Sequence, residues 1–314
     1  MCIVADDVND ISSTKIACFH VAYKLDNGPD IIPSQLVVYA ANVDSVADKN
    51  AFILPVYNPG NNYKNIIPLD FSKMSDFFDQ MESVFSRWFY SKKIMKNSRN
   101  SDCFDSDNDN SHLPVYNVGD YKFSIMPSKL DFNNIDRNIL NINPVAKNAI
   151  DAHSNDYSFI VYQFYQKGNI NVTPFAYLCK PYSNHSMVVP TIHGHPHHNT
   201  QMMGFDSRNT YHPTMTIDFE ETAEFNHEIY CLINNPSNNS IVTKKDLDDL
   251  NLVVKNIETD YMNRKIRIYV PKSFIPNKIN INGIKHNRNL LIQPTKSIFM
   301  NDLVIDLPAC LPVH

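Results

Sequence analysis

The sequence predicts a mainly β, α+β fold: antiparallel or mixed sheets, arranged as a sandwich or a barrel, with two or three amphipathic helices. Three observations predict it. Apolar runs rich in Val, Ile, Tyr and Phe recur along the chain and are bounded by Asn, Asp, Pro and Gly. Helical spacing of apolar residues is confined to a few stretches. The order of these segments does not alternate strand with helix, as a doubly wound parallel sheet would require.

The first elements read as strands. Residues 14–25 are β-branched and aromatic, and Asp26-Asn27-Gly28-Pro29-Asp30 is a turn. Residues 35–41 and 51–57 follow as strands, closed by the loop Asn58-Pro59-Gly60-Asn61-Asn62. A helix comes next: Phe71, Met74, Phe78, Met81, Phe85 and Trp88 recur at spacings of three and four, with Asp70 or Ser72 as cap. That stripe is core packing. Residues 97–115 are Ser, Asn and Asp with little to bury, so they predict a flexible linker or loop. Asp105-Ser106-Asp107-Asn108-Asp109 opens like a calcium loop, but Asn110 replaces the turn glycine and Tyr116 the bidentate glutamate. The chain therefore divides into a β-rich region with a long helix, 1–96, the segment 97–115, and a second β-rich region, 116–314.

In that second region residues 121–126 read as a strand and 144–153 as a short helix opened by Pro144. Residues 157–166 form a buried strand, expected to pair with 171–179 through Lys167-Gly168-Asn169. Residues 214–220 and 225–234 read as strands. A helix from Thr243, with Asp246 in the capping-box place, carries Leu247, Leu250, Val254, Ile257 and Tyr261 on one face. Residues 266–270, 290–293 and 300–307 complete the strands.

Composition narrows the function. The net charge is −5 and no dense Lys/Arg run occurs, which disfavours nucleic acid as the partner. With 7 glycines and no phosphate-binding motif, nucleotide binding is disfavoured too. There is no apolar leader and no run long enough to span a bilayer, so the expectation is a cytoplasmic protein without membrane contact. The 6 cysteines are widely spaced with no C-x-x-C pair, and Cys179 and Cys231 fall in apolar strands as buried thiols.

Chemistry concentrates in one place. Of the 12 histidines, four lie in Ile192-His193-Gly194-His195-Pro196-His197-His198, with His185 before them and His212 and His227 after. Imidazole is the commonest transition-metal ligand and the usual neutral-pH proton carrier. In an extended strand His193 and His195 share a face about 7 Å apart, and Pro196 ends the pairing. His227, in Phe225-Asn226-His227-Glu228-Ile229, is the expected third ligand, and His212 is the fourth candidate. Asp218, Glu220 or Glu228 could join them. Such a set suits zinc or iron(II), and a catalytic site would keep one position open to water.

Three resemblances bear on this segment. His193-Gly194-His195-Pro196-His197-His198 is similar to the H-x-H-x-D-H of the metallo-β-lactamase fold, with His197 where the aspartate stands. The H-x-H pair with a late histidine is similar to cupins, without their following glutamate. The longest likeness runs from Tyr157 to Cys231. There Val-Pro-Thr-Ile-His-Gly-His, Tyr-His-Pro and Phe-Asn-His-Glu-Ile-Tyr resemble an uncharacterised group with an F-P-T-x-H-x-H strand, an H-P step and an F-D-H-x-L-Y strand. That resemblance selects His193, His195, His212 and His227 as a set. The 39 asparagines and scarce glycine also resemble the residue usage of amoebae or of the large DNA viruses that infect them.

Two functional expectations follow. One is a histidine-based transition-metal site serving a metal-dependent hydrolase or non-haem oxygenase. The other is a non-enzymatic structural or interaction protein, of a virus particle or infected host cell, whose histidines are surface residues. Either can engage a protein partner or a second copy of itself.

Overall fold

The computed structural model describes residues 3–26, 28, 30–89, 115–118, 121–135, 139–183, 186–190, 192–193, 212–213, 228–234, 244–255, 257, 259–261, 264–272, 274–280, 291–294 and 303–306. The chain opens with strands β1 (Ile3–Val4), β2 (Val8–Leu25), β3 (Ile32–Ser45), β4 (Asn50–Tyr57) and β5 (Ile67–Leu69), then helix α1 (Phe77–Phe89). Strands β6 (Val115–Val118) and β7 (Tyr121–Met126) precede helix α2 (Pro144–Ala152). Next come β8 (Tyr157–Phe164), β9 (Gly168–Asn171), β10 (Phe175–Cys179), β11 (Ser186–Val189), β12 (Ile192–His193), β13 (His212–Pro213) and β14 (Glu228–Asn234). Helix α3 (Lys244–Lys255) is followed by β15 (Thr259–Tyr261), β16 (Arg264–Tyr269), β17 (Phe274–Asn280), β18 (Leu291–Pro294) and β19 (Leu303–Asp306).

Two main sheets stack face to face. The first has the order β1-β4-β8-β7-β6 and is antiparallel throughout. The second runs β15-β16-β2-β3-β10-β5, with β9 on β3 and the β14–β17 pair on β2. It is mixed, because β14 lies parallel to β2 while the other pairs are antiparallel. This is the α+β, mainly β class that the sequence predicts. Strands from either side of residues 90–114 share both sheets: β4 pairs with β8 in one, and β2 with β14 in the other.

The strands alternate side chains between two buried faces. In β4, Phe52, Leu54 and Val56 enter the core between the sheets, while Ala51 and Ile53 face the outer layer. In β8, Ile160, Tyr162 and Phe164 point inward, and Tyr157, Phe159 and Val161 outward. β2 divides likewise, with Ile16 and Cys18 inward and Ala17, Phe19 and Val21 outward. Helices cover both outer faces. Phe77, Phe78, Met81 and Val84 of α1, with Leu250 and Val254 of α3, pack on the second sheet. Ala146, Ala149 and Ile150 of α2 pack on the first. The result is four layers, helix–sheet–sheet–helix. Burial on both faces is why these strands read as continuous apolar runs.

Aromatic rings bind the middle of the sandwich. Tyr162 and Phe175, from opposite sheets, have ring centroids 4.2 Å apart. The Tyr162 hydroxyl donates to the Ala176 carbonyl at 2.8 Å, which satisfies the one polar atom that this ring brings into the core.

Three boundaries depart from the sequence reading. Helix α1 begins at Phe77, although its apolar spacing starts at Phe71. Asp70 accepts from the Ser72 amide at 2.9 Å, and turns then close at Met74 and Phe77, so Phe71 and Met74 reach the core from turns. Residues 157–166 and 171–179 do not form a hairpin. β8 has β4 and β7 on its two edges, so the chain turns at Gly168 (φ +88°) and crosses to pair β9 and β10 with β3. Tyr261 lies in β15, beyond the end of α3, although its spacing continues the helical face. Residues 97–114 lie outside the described residues, as do 214–220 and 225–227 of the expected strands.

Candidate functional site

The candidate site grows from β11, which belongs to neither main sheet and pairs with β19. Side chains rather than ladder bonds tie β11 to the sandwich. His20 and Gln35 stand directly opposite each other on β2 and β3. Both are buried, on the inward face that carries Cys18 and Val37. The His20 Nε2 lies 3.2 Å from the Ser186 carbonyl, and the Gln35 amide donates to the Val188 carbonyl at 2.7 Å. A carbonyl can only accept, so His20 carries its proton on Nε2. Met187 and Val189 of β11 are buried in the core between the sheets. The root of the histidine segment is therefore fixed.

β12 and β13 pair antiparallel with each other and form a two-stranded ribbon separate from both main sheets. The register sets Ile192 opposite Pro213 and His193 opposite His212. Two of the four predicted ligands thus occupy directly opposed positions. His193 is four Cα steps from Val189, so it lies within about 14 Å of the anchored strand. His195 and His227, the other two predicted ligands, lie outside the described residues. So do His185, His197 and His198, and the carboxylates Asp218 and Glu220. Among the described residues no three His, Cys, Asp or Glu side chains gather into a group that could hold an ion.

Near the same end of the sandwich is a small cleft lined by Gln35, Pro55, Tyr57, Tyr177, Tyr182 and Pro190. It has room for about one water. Tyr57 and Tyr182 meet edge to face there, with centroids 5.5 Å apart.

The nucleophile candidates inside the sandwich are structural. Cys18, Cys179 and Cys231 are buried thiols. Burial pushes the Cys179 thiol up to about 12 and raises that of Cys231 as well, so neither supplies a thiolate near neutral pH. His153 caps the end of α2. Its Nδ1 donates to the Ala149 carbonyl at 2.8 Å, and its ring lies between Tyr157 and Phe159. Its Nε2 is buried with no hydrogen-bond partner among the described residues. Burial lowers its pKa to about 4, and the neighbouring Lys129 charge acts in the same direction. It is a neutral core histidine.

Sequence reasoning missed the His20–Gln35 strap. The available signal was a polar residue on the face that Ile16 and Cys18 occupy in β2, and on the face that Val37 and Tyr39 occupy in β3. Among the described residues, no helix is long and apolar enough to cross a membrane.

No family model matches the chain. Among solved structures it is similar to baculovirus P35, with a TM-score of 0.37 and 12% identity over 77% of this chain and 69% of that one. It is also similar to a mutated baculovirus P35 after caspase cleavage, with a TM-score of 0.34 and 10% identity over 77% and 71% of the two chains. Likeness at this level carries no information on function.

Proposed function

We propose that this chain is a non-enzymatic interaction protein: a layered sandwich that presents the histidine-bearing segment to a protein partner. One observation carries the reading. β12 and β13 pair with each other outside both main sheets, while β11, which leads into them, is strapped to the core by His20 and Gln35. A fixed root leading to a ribbon that joins neither main sheet is an arrangement by which a scaffold can offer backbone and side chains to another chain. The Asn-rich residue usage adds a setting: a viral particle or infected host cell, inside the cytoplasm.

A photo-crosslinking residue placed at position 192 tests this, with the same residue at Leu130 as control. Leu130 is 68% exposed and lies toward the α2 side of the molecule. A defined protein adduct from position 192 that is missing from position 130 supports the reading. The same adducts from both positions, or none from either, sink it.

A second reading keeps the metal and makes it catalytic. The placing of His193 opposite His212 favours it, since one ion could draw on both strands. His195 and His227 would complete a zinc or iron(II) centre for a hydrolase or non-haem oxygenase, as in the uncharacterised group that the segment resembles. Catalysis requires a third protein ligand and one open position. Its test is turnover of hydrolase and oxygenase substrates by metal-loaded protein, lost on His227→Ala. Turnover unchanged by that substitution would end this reading.

A further inference from the structure

We propose that Cys18 and Cys231 are a redox-reactive pair that closes to a reversible disulfide and locks β14 onto β2. The inference stands on the packed sandwich and does not depend on the interaction reading.

The register brings the two sulfurs together. β14 runs parallel to β2 and sets Cys231 directly opposite Cys18. Both side chains are fully buried in the core between the two main sheets, so they share one face of the ladder. Neighbouring strands stand about 4.7–4.9 Å apart. A disulfide spans Cα atoms about 4.4–6.8 Å apart, so this pair can be bridged where it stands. The Cβ atoms of a disulfide sit closer, at about 3.5–4.5 Å, and closing the bond draws the two strands slightly together. A bond under such tension is readily reduced, which is the character of a switch rather than of a staple. Cys179 shows the selectivity. It is buried in the same core, yet β10 reaches β2 only across β3, at about 9–10 Å, beyond the limit of about 7 Å.

The place of the pair gives the bond a consequence. His20, two positions along β2 from Cys18, straps β11, which leads into the histidine segment. β14 takes up the chain after that segment. The strap fixes the chain that enters the segment, and the disulfide fixes the chain that leaves it, both on β2.

Burial holds the Cys231 thiol well above its ordinary range, so exchange takes place when β14 lifts from β2. One cysteine, as thiolate, attacks a sulfur of a small-molecule disulfide and releases one thiol. The second cysteine attacks the mixed disulfide and releases the other. Two cysteine thiols become one disulfide, and their two electrons and two protons end on the two released thiols. In a reducing compartment the pair rests as thiols.

The experiment equilibrates the full reduced chain across ratios of reduced to oxidised glutathione in mild urea, which lets β14 open. The chain is then alkylated and mapped by mass spectrometry. The expected result is an 18–231 disulfide, faster migration on a non-reducing gel because a large loop is closed, and full reversal by dithiothreitol. Cys179→Ala should keep all three. Hydrogen exchange over residues 230–233 should slow at least about tenfold in the oxidised chain. Cys18 and Cys231 both still reduced at the most oxidising ratio, or joined to other cysteines in preference to each other, would overturn the pair. A bond that forms without slowing exchange overturns the lock. The deciding readouts come from the wild-type chain, so no folding defect of a variant enters them.

Discussion

Two regions of this molecule use histidine in opposite ways. Inside the sandwich, His20 and His153 are buried, each with one ring nitrogen on a backbone carbonyl. In the ribbon, His193 and His212 are set against each other outside both main sheets. The buried pair show what the fold does with an imidazole when it has layers to place it between: it keeps the ring as a hydrogen-bonding spacer. The ribbon pair belong to neither main sheet, and their register is the feature that sets them apart. Histidine count alone does not separate the two uses. Position in the layers does.

Four changes break or sharpen this contrast. The largest effect is expected in the packed middle of the sandwich. Tyr162→Ala removes a fully buried ring stacked on Phe175 and the donor to the Ala176 carbonyl. A loss of about 3–5 kcal/mol is expected in urea unfolding. A loss below about 1 kcal/mol would mean the layers are not close-packed there.

The next effect belongs to His153. Its folded pKa of about 4 lies below the ordinary 6.5, so the unfolded chain binds the proton more readily. Its contribution is fully present above about pH 6.5 and is lost as pH falls toward about 4, amounting to about 3 kcal/mol across that window. Unfolding free energies of wild type and His153→Phe, compared at pH 7 and 4.5, should diverge accordingly. Parallel pH profiles would refute a neutral, buried His153.

Third is the strap. Gln35→Leu leaves the Val188 carbonyl without its donor, an expected cost of about 1–3 kcal/mol. Hydrogen exchange over residues 186–189 should quicken while that of β8 stays slow. Unchanged exchange in β11 would show that the ladder with β19 suffices. The smallest effect is in the ribbon itself. His193→Ala with His212→Ala should shift metal-free stability by less than about 0.5 kcal/mol. A large loss would place these residues in the packed core and erase the contrast.

What could be read from the sequence follows the same division. The strands were legible because residues such as Phe52, Ile53 and Leu54, or Phe159, Ile160 and Val161, are apolar at every place, which only a doubly covered sheet permits. Their partners were not. Nothing in residues 157–166 says that both edges of β8 are taken, and so the expected hairpin with 171–179 gives way to a crossing between sheets. Helical spacing at Phe71 and Met74 misled for a local reason, since Asp70 closes a turn on Ser72 that delays α1. At the site, composition marked the histidine segment, but the opposition of His193 and His212 is a matter of register across residues 194–211 and leaves no local trace. His20 and Gln35 were hidden because β2 and β3 carry other polar residues, such as Lys15, Ser34 and Asn42, and nothing local marks which of them face inward. The expectations for His195 and His227 fall outside the described residues.

Strand β2 has a consequence for how the protein is made. Its 18 residues carry β14 along Lys15–Phe19 and β16 along Ala22–Leu25, so these partners come from the second half of the chain. About 200 residues must leave the ribosome between the end of β2 and the start of β14. At about 5–20 residues per second that is a wait of about 10–40 seconds. During it, the nascent chain holds a long strand, with Phe19 and Tyr23 on it, without these partners. Chaperone engagement with the emerging N-terminal half would answer that exposure, and slowing translation ahead of β14 would raise aggregation while leaving the finished fold unchanged.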